Sequence, residues 1–205
     1  MIEIDLTDER VIPEKMNCLN SLLLEHIGRY HFAVSHIHGR VLDIACGVGY
    51  GSFLAAKYCK KTVSQVVGVD CDPDTISYAK KTYDHPRCNY HIANALDPKL
   101  VDEHGKFDSI LSFETLEHLA DDQAFLCNLQ TLLNPGGTLV ISTPLGAGRQ
   151  FPSRQRFHRF QLTEQEFRDL FDSFSQVTFY QQQGLVFRPY QQQGKYPIII
   201  AVAVL

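Results

Sequence analysis

From residue 40 onward, short runs rich in β-branched residues alternate with segments of helical spacing, and this alternation constrains the fold more than any other feature. The runs predict strands at 40–45, 65–70, 88–93, 107–112 and 138–143. Such an alternation favours a parallel sheet that is covered by helices on both faces. Two later runs, 177–182 and 197–205, are joined by a linker too short for a helical crossover, which predicts that one of them runs antiparallel.

The segments outside this alternation are the candidates for building a substrate pocket. With 205 residues, the chain fits a single domain. We expect residues 1–38 to form a partly helical lid and residues 39–205 to form the core. Within the core, residues 144–160 carry four arginines and no acid, and we expect this connection to line the pocket. Residues 183–195 are predicted as a polar loop.

Charge and cysteine usage narrow the range of partners. The net charge of −4 disfavours a nucleic-acid partner, because proteins that hold phosphates usually carry a basic excess. No apolar run reaches the length of a membrane helix, and the N-terminal segment lacks a signal-peptide pattern. The six cysteines form no CxxC pair, which argues against a zinc ribbon. These observations predict a cytoplasmic protein without a membrane partner, and they leave its oligomeric state open.

A glycine-rich turn follows the first predicted strand. It reads DIACGVGYG at 43–51 and allows a ligand to approach backbone N–H groups closely. The dinucleotide fingerprint needs a third glycine at the position of Ser52, so a nicotinamide cofactor is not expected. Asp43 suits a ligand that carries an ammonium group. Asp70, at the end of the second strand, suits the two hydroxyls of a ribose.

With these residues in place, the sequence resembles the class I S-adenosylmethionine-dependent methyltransferases. VLDIACGVGYGS at 41–52 is similar to the family's first motif, and VVGVDCDPDTISYAKK at 66–81 is similar to its second-strand segment. FDSILSFETLEHL at 107–119 and LLNPGGTLVISTP at 132–144 are similar to its fourth-strand and fifth-strand motifs. The resemblance implies a Rossmann-like, doubly wound, seven-stranded α/β sheet, mostly parallel with the last strand antiparallel.

The resemblance also implies S-adenosylmethionine as the cofactor. The first motif would cradle its methionine part, Asp70 would hold the ribose and Cys71 would lie beside the adenine. Asn94 stands where the family often has Asp, and its amide oxygen can still accept a hydrogen bond from the adenine amine. The implied cofactor-binding residues are Asp43, Ala45, Cys46, Gly47, Gly49, Asp70, Cys71, Asn94, Ala95 and Phe113.

The segment SFETLEHL at 112–119 carries the residues expected at the reacting end. If it is helical, Glu114, Glu117 and His118 share one face, and such a set suits a divalent cation. With His158, the pattern resembles the ubiquinone-biosynthesis O-methyltransferases and the small-RNA 2′-O-methyltransferases, which use such an ion. The resemblance implies one divalent cation on these four residues, with His118 and Glu117 as catalytic residues. Metal-free relatives share the segment, and there Glu117 caps a helix and His118 lines the pocket.

Three functions remain open. We predict first an O-methyltransferase whose acceptor is a small molecule, such as a sugar or glycan intermediate or another diol. ERVIP at 9–13 and EHIGRYHFA at 25–33 favour this interpretation, because they resemble segments of methyltransferases from surface-polysaccharide pathways. One alternative is metal-independent N- or C-methylation of a small metabolite, with His118 as the base. Another is a non-catalytic cofactor-binding domain, against which the intact glycines and Asp70 argue.

Overall fold

The strands in the described part of the chain form one eight-stranded sheet. The computed structural model describes Ile4, residues 10–191 and residues 196–205. The strands are β1 Gly39–Ile44, β2 Val63–Asp70, β3 Cys88–Ile92, β4 Phe107–Phe113, β5 Leu133–Pro144, β6 Gln176–Gln183, β7 Val186–Pro189 and β8 Ile198–Val204. Their order across the sheet is β3-β2-β1-β4-β5-β8-β6-β7.

Strand direction follows the prediction. The strands β1 to β5 pair in parallel, and β8 is antiparallel to both of its neighbours, β5 and β6. Because β8 returns directly beside β5 and β6, no crossover helix is needed between the last strands. The predicted α/β fold, with a mostly parallel sheet and an antiparallel last strand, is confirmed.

The strand count is one higher than predicted. Strand β7 forms a hairpin with β6 and lies inside the stretch 183–195 that was predicted as a polar loop. Most of its side chains are exposed, because an edge strand has one neighbour and little of the core to cover. The apolar run that identifies an inner strand is therefore missing from its sequence. Residues 192–195 of the predicted loop lie outside the described residues.

The described residues form six α-helices, of which the first precedes β1 and the others lie between strands. They are α1 Ser21–Ala33, α2 Tyr50–Tyr58, α3 Pro73–Thr82, α4 Leu100–His104, α5 Asp122–Leu132 and α6 Glu164–Asp169. Two predicted starts are confirmed: the Asp72 side chain accepts from two backbone N–H groups at the start of α3, and Thr163 and Glu166 form the capping box of α6. Short 3-10 turns lie at Pro13–Lys15 and Leu116–His118.

The helices divide between the two faces of the sheet. Leu23 of α1, Ala55 of α2 and Ile76 of α3 belong to one buried apolar cluster. Leu100 of α4, Phe125 of α5 and Phe167 of α6 belong to a second cluster. The sheet is thus doubly wound. Among the helices of the described ranges, none combines the length and apolarity that crossing a bilayer requires.

This topology places the functional end of the molecule. The chain moves outward from β1 through β2 to β3 and then returns to the other side of β1 as β4. In open α/β sheets, ligands bind beyond the carboxyl ends of the strands at such a reversal. The ends of β1, β2 and β4 therefore define the candidate site.

Candidate functional site

A cleft of about 790 Å³ opens at the carboxyl ends of β1, β2 and β4. Its walls come from the glycine-rich turn after β1, the end of β2, residues 113–118 and residues 155–158. The N-terminal segment contributes as well, through residues 10 and 11 and one face of α1. Both segments predicted to line the pocket, 1–38 and 144–160, reach the cleft within their described parts.

Glycine conformation shapes the floor of this cleft. Gly47 has a φ of 55°, and a Cβ added to it would meet no atom within 4 Å. The backbone N–H of Gly47 donates to Asp70 Oδ2 over 3.0 Å, which joins the turn after β1 to the end of β2. Asp70 Oδ1 accepts from the N–H of Asp72, also over 3.0 Å. Burial raises the pKa of Asp70, and these two N–H donors oppose the rise.

The residues assigned to the cofactor separate into three groups. Those that line the cleft are Ala45, Cys46, Gly47, Asp70, Cys71 and Phe113. Asp43, fully buried, and Gly49, with a φ of 88°, lie behind the cleft lining. The structure does not bring Asn94 and Ala95 to the cleft wall. The Asn94 side chain turns back to accept from the N–H of Leu96 over 3.0 Å, and Ala95 O accepts from Asn128.

At the reacting end, the structure brings three of the four expected metal ligands together. Glu117, His118 and His158 each offer one ligand atom, and these atoms lie within 4.8 Å of one another. Glu114 lies outside this group. The 3-10 turn begins only at Leu116, and Glu114 precedes it with a φ of 49°, so the helical spacing does not extend back to Glu114. The Glu114 carboxylate accepts from Ser142 Oγ over 2.9 Å instead.

Three hydrogen bonds dock the connection 155–159 onto this turn. The Nδ1 atom of His118 lies 3.0 Å from the carbonyl oxygen of Phe157. The Arg159 backbone N–H donates to Glu117 O over 2.8 Å, and Arg159 Nε donates to His118 O over 3.1 Å. As a result, the rings of His118 and His158 are 4.9 Å apart and nearly perpendicular.

The Glu117 carboxyl group is buried with half of its hydrogen-bonding capacity unused. Its Oε2 accepts from Thr143 Oγ1 over 3.1 Å, whereas Oε1 has no hydrogen-bond partner among the described residues. Burial and the nearby Glu114 raise the pKa of Glu117 well above its usual range. A carbonyl oxygen only accepts, so His118 Nδ1 carries the proton in its bond to Phe157. Its Nε2, 4.0 Å from Glu117 Oε1, then offers a lone pair to the cleft.

The sequence interpretation assigned no site role to three residues that line the cleft. Tyr30 and His26 come from α1, and Tyr50 begins α2. His26 Nδ1 lies 3.2 Å from the Tyr50 hydroxyl, and burial lowers the pKa of His26 well below its usual value. The segment EHIGRYHFA at 25–33 contains two of these residues, His26 and Tyr30. Its aromatic residues could not be assigned to a site from the sequence, because helix packing accounts for them equally well.

Comparison with known proteins decides the family. A family model described as a methyltransferase domain matches residues 35–199. The chain belongs to this methyltransferase family.

Individual relatives agree with that assignment. The methyltransferase domain is 31% identical over 173 residues to a probable S-adenosylmethionine-dependent methyltransferase of Mycolicibacterium smegmatis, covering 82% of this chain and 63% of the relative. It is 29% identical to a ubiquinone biosynthesis O-methyltransferase of Azorhizobium caulinodans over 64% of this chain and 51% of the relative. The chain thus spans between about half and two thirds of the length of these relatives.

A solved structure supports the fold. The N-methyltransferase NodS of Bradyrhizobium japonicum, in complex with S-adenosyl-L-homocysteine, superposes with a TM-score of 0.66 at 17% identity. The match covers 97% of this chain and 92% of that one. At this identity, the similarity establishes the methyltransferase fold of the chain.

Proposed function

We propose that this methyltransferase domain uses S-adenosylmethionine to methylate a hydroxyl group of a small-molecule acceptor, with a divalent cation held by Glu117, His118 and His158. One observation carries the proposal. The glycine-rich turn with Asp70 and the cluster of a carboxylate and two imidazoles line the same cleft. A nucleotide-like cofactor and an activated acceptor can therefore meet there.

The cofactor end fits S-adenosylmethionine. The empty space in front of Gly47 accepts a ligand that approaches the backbone closely, and a side chain at this position would occupy it. The Asp70 oxygens are oriented by two N–H donors and retain lone pairs for the ribose hydroxyls. When bound, the cofactor supplies an electrophilic methyl group on a sulfonium. Asn94 and Ala95 take no part in this proposal, because they lie away from the cleft wall.

The reacting end fits a divalent cation. Glu117 Oε1 is a buried carboxylate oxygen without a hydrogen-bond partner in the described part of the chain, and such an atom costs free energy unless a ligand satisfies it. The bond from His118 Nδ1 to Phe157 O is the outer contact that commonly orients a ligating histidine. The bound cation would act as a template and as a Lewis acid toward the acceptor hydroxyl. The three ligand atoms lie within 4.8 Å of one another, and they would have to move closer together to hold one ion, because the ligands of a tetrahedral zinc stand about 3.5 Å apart.

The remaining contribution of the chain is positioning. Methyl transfer needs the nucleophile, the methyl carbon and the leaving sulfur in line, so most of the rate comes from holding the reactants. Residues 10 and 11, α1 and residues 155–158 line the cleft from outside the sheet, and we propose that they exclude water. Arg10 pairs with Asp72 over 2.8 Å, and Glu14 accepts from Tyr83 and Tyr78, so these contacts hold the N-terminal segment beside the cofactor end.

The acceptor is the finer part of the proposal. A hydroxyl acceptor is favoured because a neutral hydroxyl is a poor nucleophile and gains most from a Lewis acid and a base. The name of the Azorhizobium relative, an O-methyltransferase, points the same way. Two acceptor oxygens on one cation would suit a vicinal diol, as found in sugars and glycan intermediates.

A metal-independent reaction is the second candidate, and one observation favours it. The bond from Nδ1 to Phe157 leaves His118 Nε2 as a proton acceptor facing the cleft, where the side chain is 34% exposed. In that case His118 would remove a proton from the acceptor, which extends the chemistry to amines and carbon acids.

Transfer of a radiolabelled methyl group separates these candidates. The purified protein is stripped with a chelator and incubated with labelled S-adenosylmethionine and a panel of sugars, catechols and amines, with or without Mg²⁺, Mn²⁺ or Zn²⁺. We expect label on a diol acceptor only when metal is restored. Full activity in the chelated protein would support His118 as a lone base. Cofactor binding without transfer to any member of the panel would favour a binding domain.

A further inference from the structure

Asp43 is a carboxylate that the protein buries completely beside the cofactor end of the cleft. It is fully inaccessible, and two hydroxyl groups hold it. Ser52 Oγ donates to Oδ2 over 2.6 Å, and the Tyr30 hydroxyl lies 3.1 Å from Oδ1 and 3.3 Å from Oδ2. Asp43 itself does not line the cleft, whereas Tyr30 does. A ligand in the cleft therefore meets Tyr30 in front of Asp43.

The glycine-rich turn is shaped to receive Tyr30. A Cβ at Gly51 would overlap the Tyr30 ring, so only glycine at this position leaves room for α1 to dock here. The ring is also held edge-on by Phe113, with centroids 4.9 Å apart, and by Tyr50, with centroids 5.6 Å apart. The phenol is thus fixed from three sides, which removes most of the entropy cost of using it as a binding group.

The oxygen of the Tyr30 hydroxyl can still accept a hydrogen bond. Burial and the neighbouring Asp43 raise the pKa of Tyr30 well above its usual value, so the phenol keeps its proton. Above the pKa of Asp43, which burial raises to about 7, the Asp43 carboxylate only accepts, so the phenol proton points at Asp43. The lone pairs of the phenol oxygen are then available, and the carboxylate behind it increases their attraction for a positive donor.

We propose that Tyr30 is a cofactor-binding residue, whose oxygen accepts a hydrogen bond from the ammonium group of the methionine part of S-adenosylmethionine while Asp43 holds it in place. This rests on the proposed use of that cofactor. It explains why an acid ends β1 yet is withdrawn from the cleft: Tyr30 stands between Asp43 and the ligand. It also makes α1, a helix outside the sheet, part of the cofactor site.

A double-mutant cycle between protein and ligand tests this inference without any turnover. At pH 8, where Asp43 is ionised, the affinities of wild-type protein and Tyr30→Phe are measured by calorimetry for S-adenosyl-L-homocysteine and for its analogue in which hydrogen replaces the amino group. A hydrogen bond to a charged group is worth about 1.5–3 kcal/mol, which is roughly tenfold or more in affinity. We expect the wild-type protein to prefer the amine-bearing ligand by at least about tenfold and Tyr30→Phe to lose most of that preference.

Tyr90→Phe is the matched control. The Tyr90 hydroxyl donates to Gly49 O in the same turn, but Tyr90 does not line the cleft. It should change the affinities for both ligands equally. If Tyr30→Phe does not fold, as judged by its thermal transition, Asp43→Asn is measured instead, and it should also lose the preference for the amine. An unchanged preference in the folded variant overturns the role of Tyr30. If wild-type protein binds neither ligand, the proposed function itself fails.

Discussion

The Nδ1 atom of His118 lies 3.0 Å from the carbonyl oxygen of Phe157. This contact joins the turn after β4 to the connection after β5, and it sets both the tautomer of His118 and the position of the next residue, His158. The two imidazoles reach the same end of the cleft because of it.

Removal of the His158 side chain should therefore weaken metal binding. We expect His158→Ala to lower the affinity for Zn²⁺ or Mn²⁺ by at least about tenfold, because one of three ligands is lost. Competition with a chromophoric chelator measures the affinity. His31→Ala, an exposed histidine on α1, is the control and should bind the metal as wild type does. Equal metal affinity in the two variants would contradict the proposed ligand set.

Gly47→Ala should separate cofactor binding from folding. The positive φ of Gly47 makes alanine cost about 1–2 kcal/mol of stability, and its methyl group would project into the space proposed for the cofactor. Gly136→Ala is the control, because Gly136 also has a positive φ, of 75°, and open space around its Cβ. Both variants should melt at similar temperatures, and only Gly47→Ala should fail to bind S-adenosyl-L-homocysteine. Wild-type affinity in Gly47→Ala would place the cofactor elsewhere.

Asp70→Ala should weaken cofactor binding, because it removes the side chain that accepts hydrogen bonds from the ribose hydroxyls. The expected loss is about 1–3 kcal/mol, roughly five-fold to more than a hundredfold in affinity. Asp74→Ala, in the exposed first turn of α3, serves as the control. The dissociation constants are compared by calorimetry in protein whose circular dichroism matches wild type. A folded Asp70→Ala protein with unchanged affinity would refute the ribose assignment.

Asp43 should make stability depend on pH. Burial raises the pKa of Asp43 to about 7, with Ser52 and Tyr30 opposing the rise and the charge of Asp70 adding to it. The folded state therefore holds a proton that the unfolded chain, with a pKa of about 3.9, releases. Stability falls as the pH rises between these two values, and the full cost of the buried charge is present above about pH 7.

Asp43→Asn avoids this ionisation while keeping a side chain of the same shape. We expect the free energy of unfolding of the variant to exceed that of wild type by on the order of 3 kcal/mol at pH 8 and by clearly less at pH 5. Thermal unfolding at the two pH values measures the difference. Asp102→Asn, on the exposed side of α4, should show no such difference between the two pH values. A gain for Asp43→Asn that is equal at both pH values would mean that Asp43 does not titrate in this range.

Local signals predicted much of the fold. The β-branched runs identified seven of the eight strands, and the caps at Asp72 and Thr163 marked the starts of α3 and α6. These features depend on neighbours within a few residues, so a sequence displays them directly. Strand β7 was not predicted, because its stability comes from pairing with β6 and its exposed side chains need no apolar pattern.

The candidate site shows the same division. Local sequence patterns identified the glycine-rich turn, the acid that ends β2 and the segment that carries Glu117 and His118. The resemblance also predicted His158 as a partner of Glu117 and His118, and the structure brings it to them. That Glu114 turns to Ser142 and that Tyr30 stands over Asp43 emerged only from the tertiary structure. The reason is physical. The first set depends on backbone conformation, which local side chains control. The second depends on which surfaces become neighbours after the helices and the long connection pack against the sheet, and no local pattern encodes those distances.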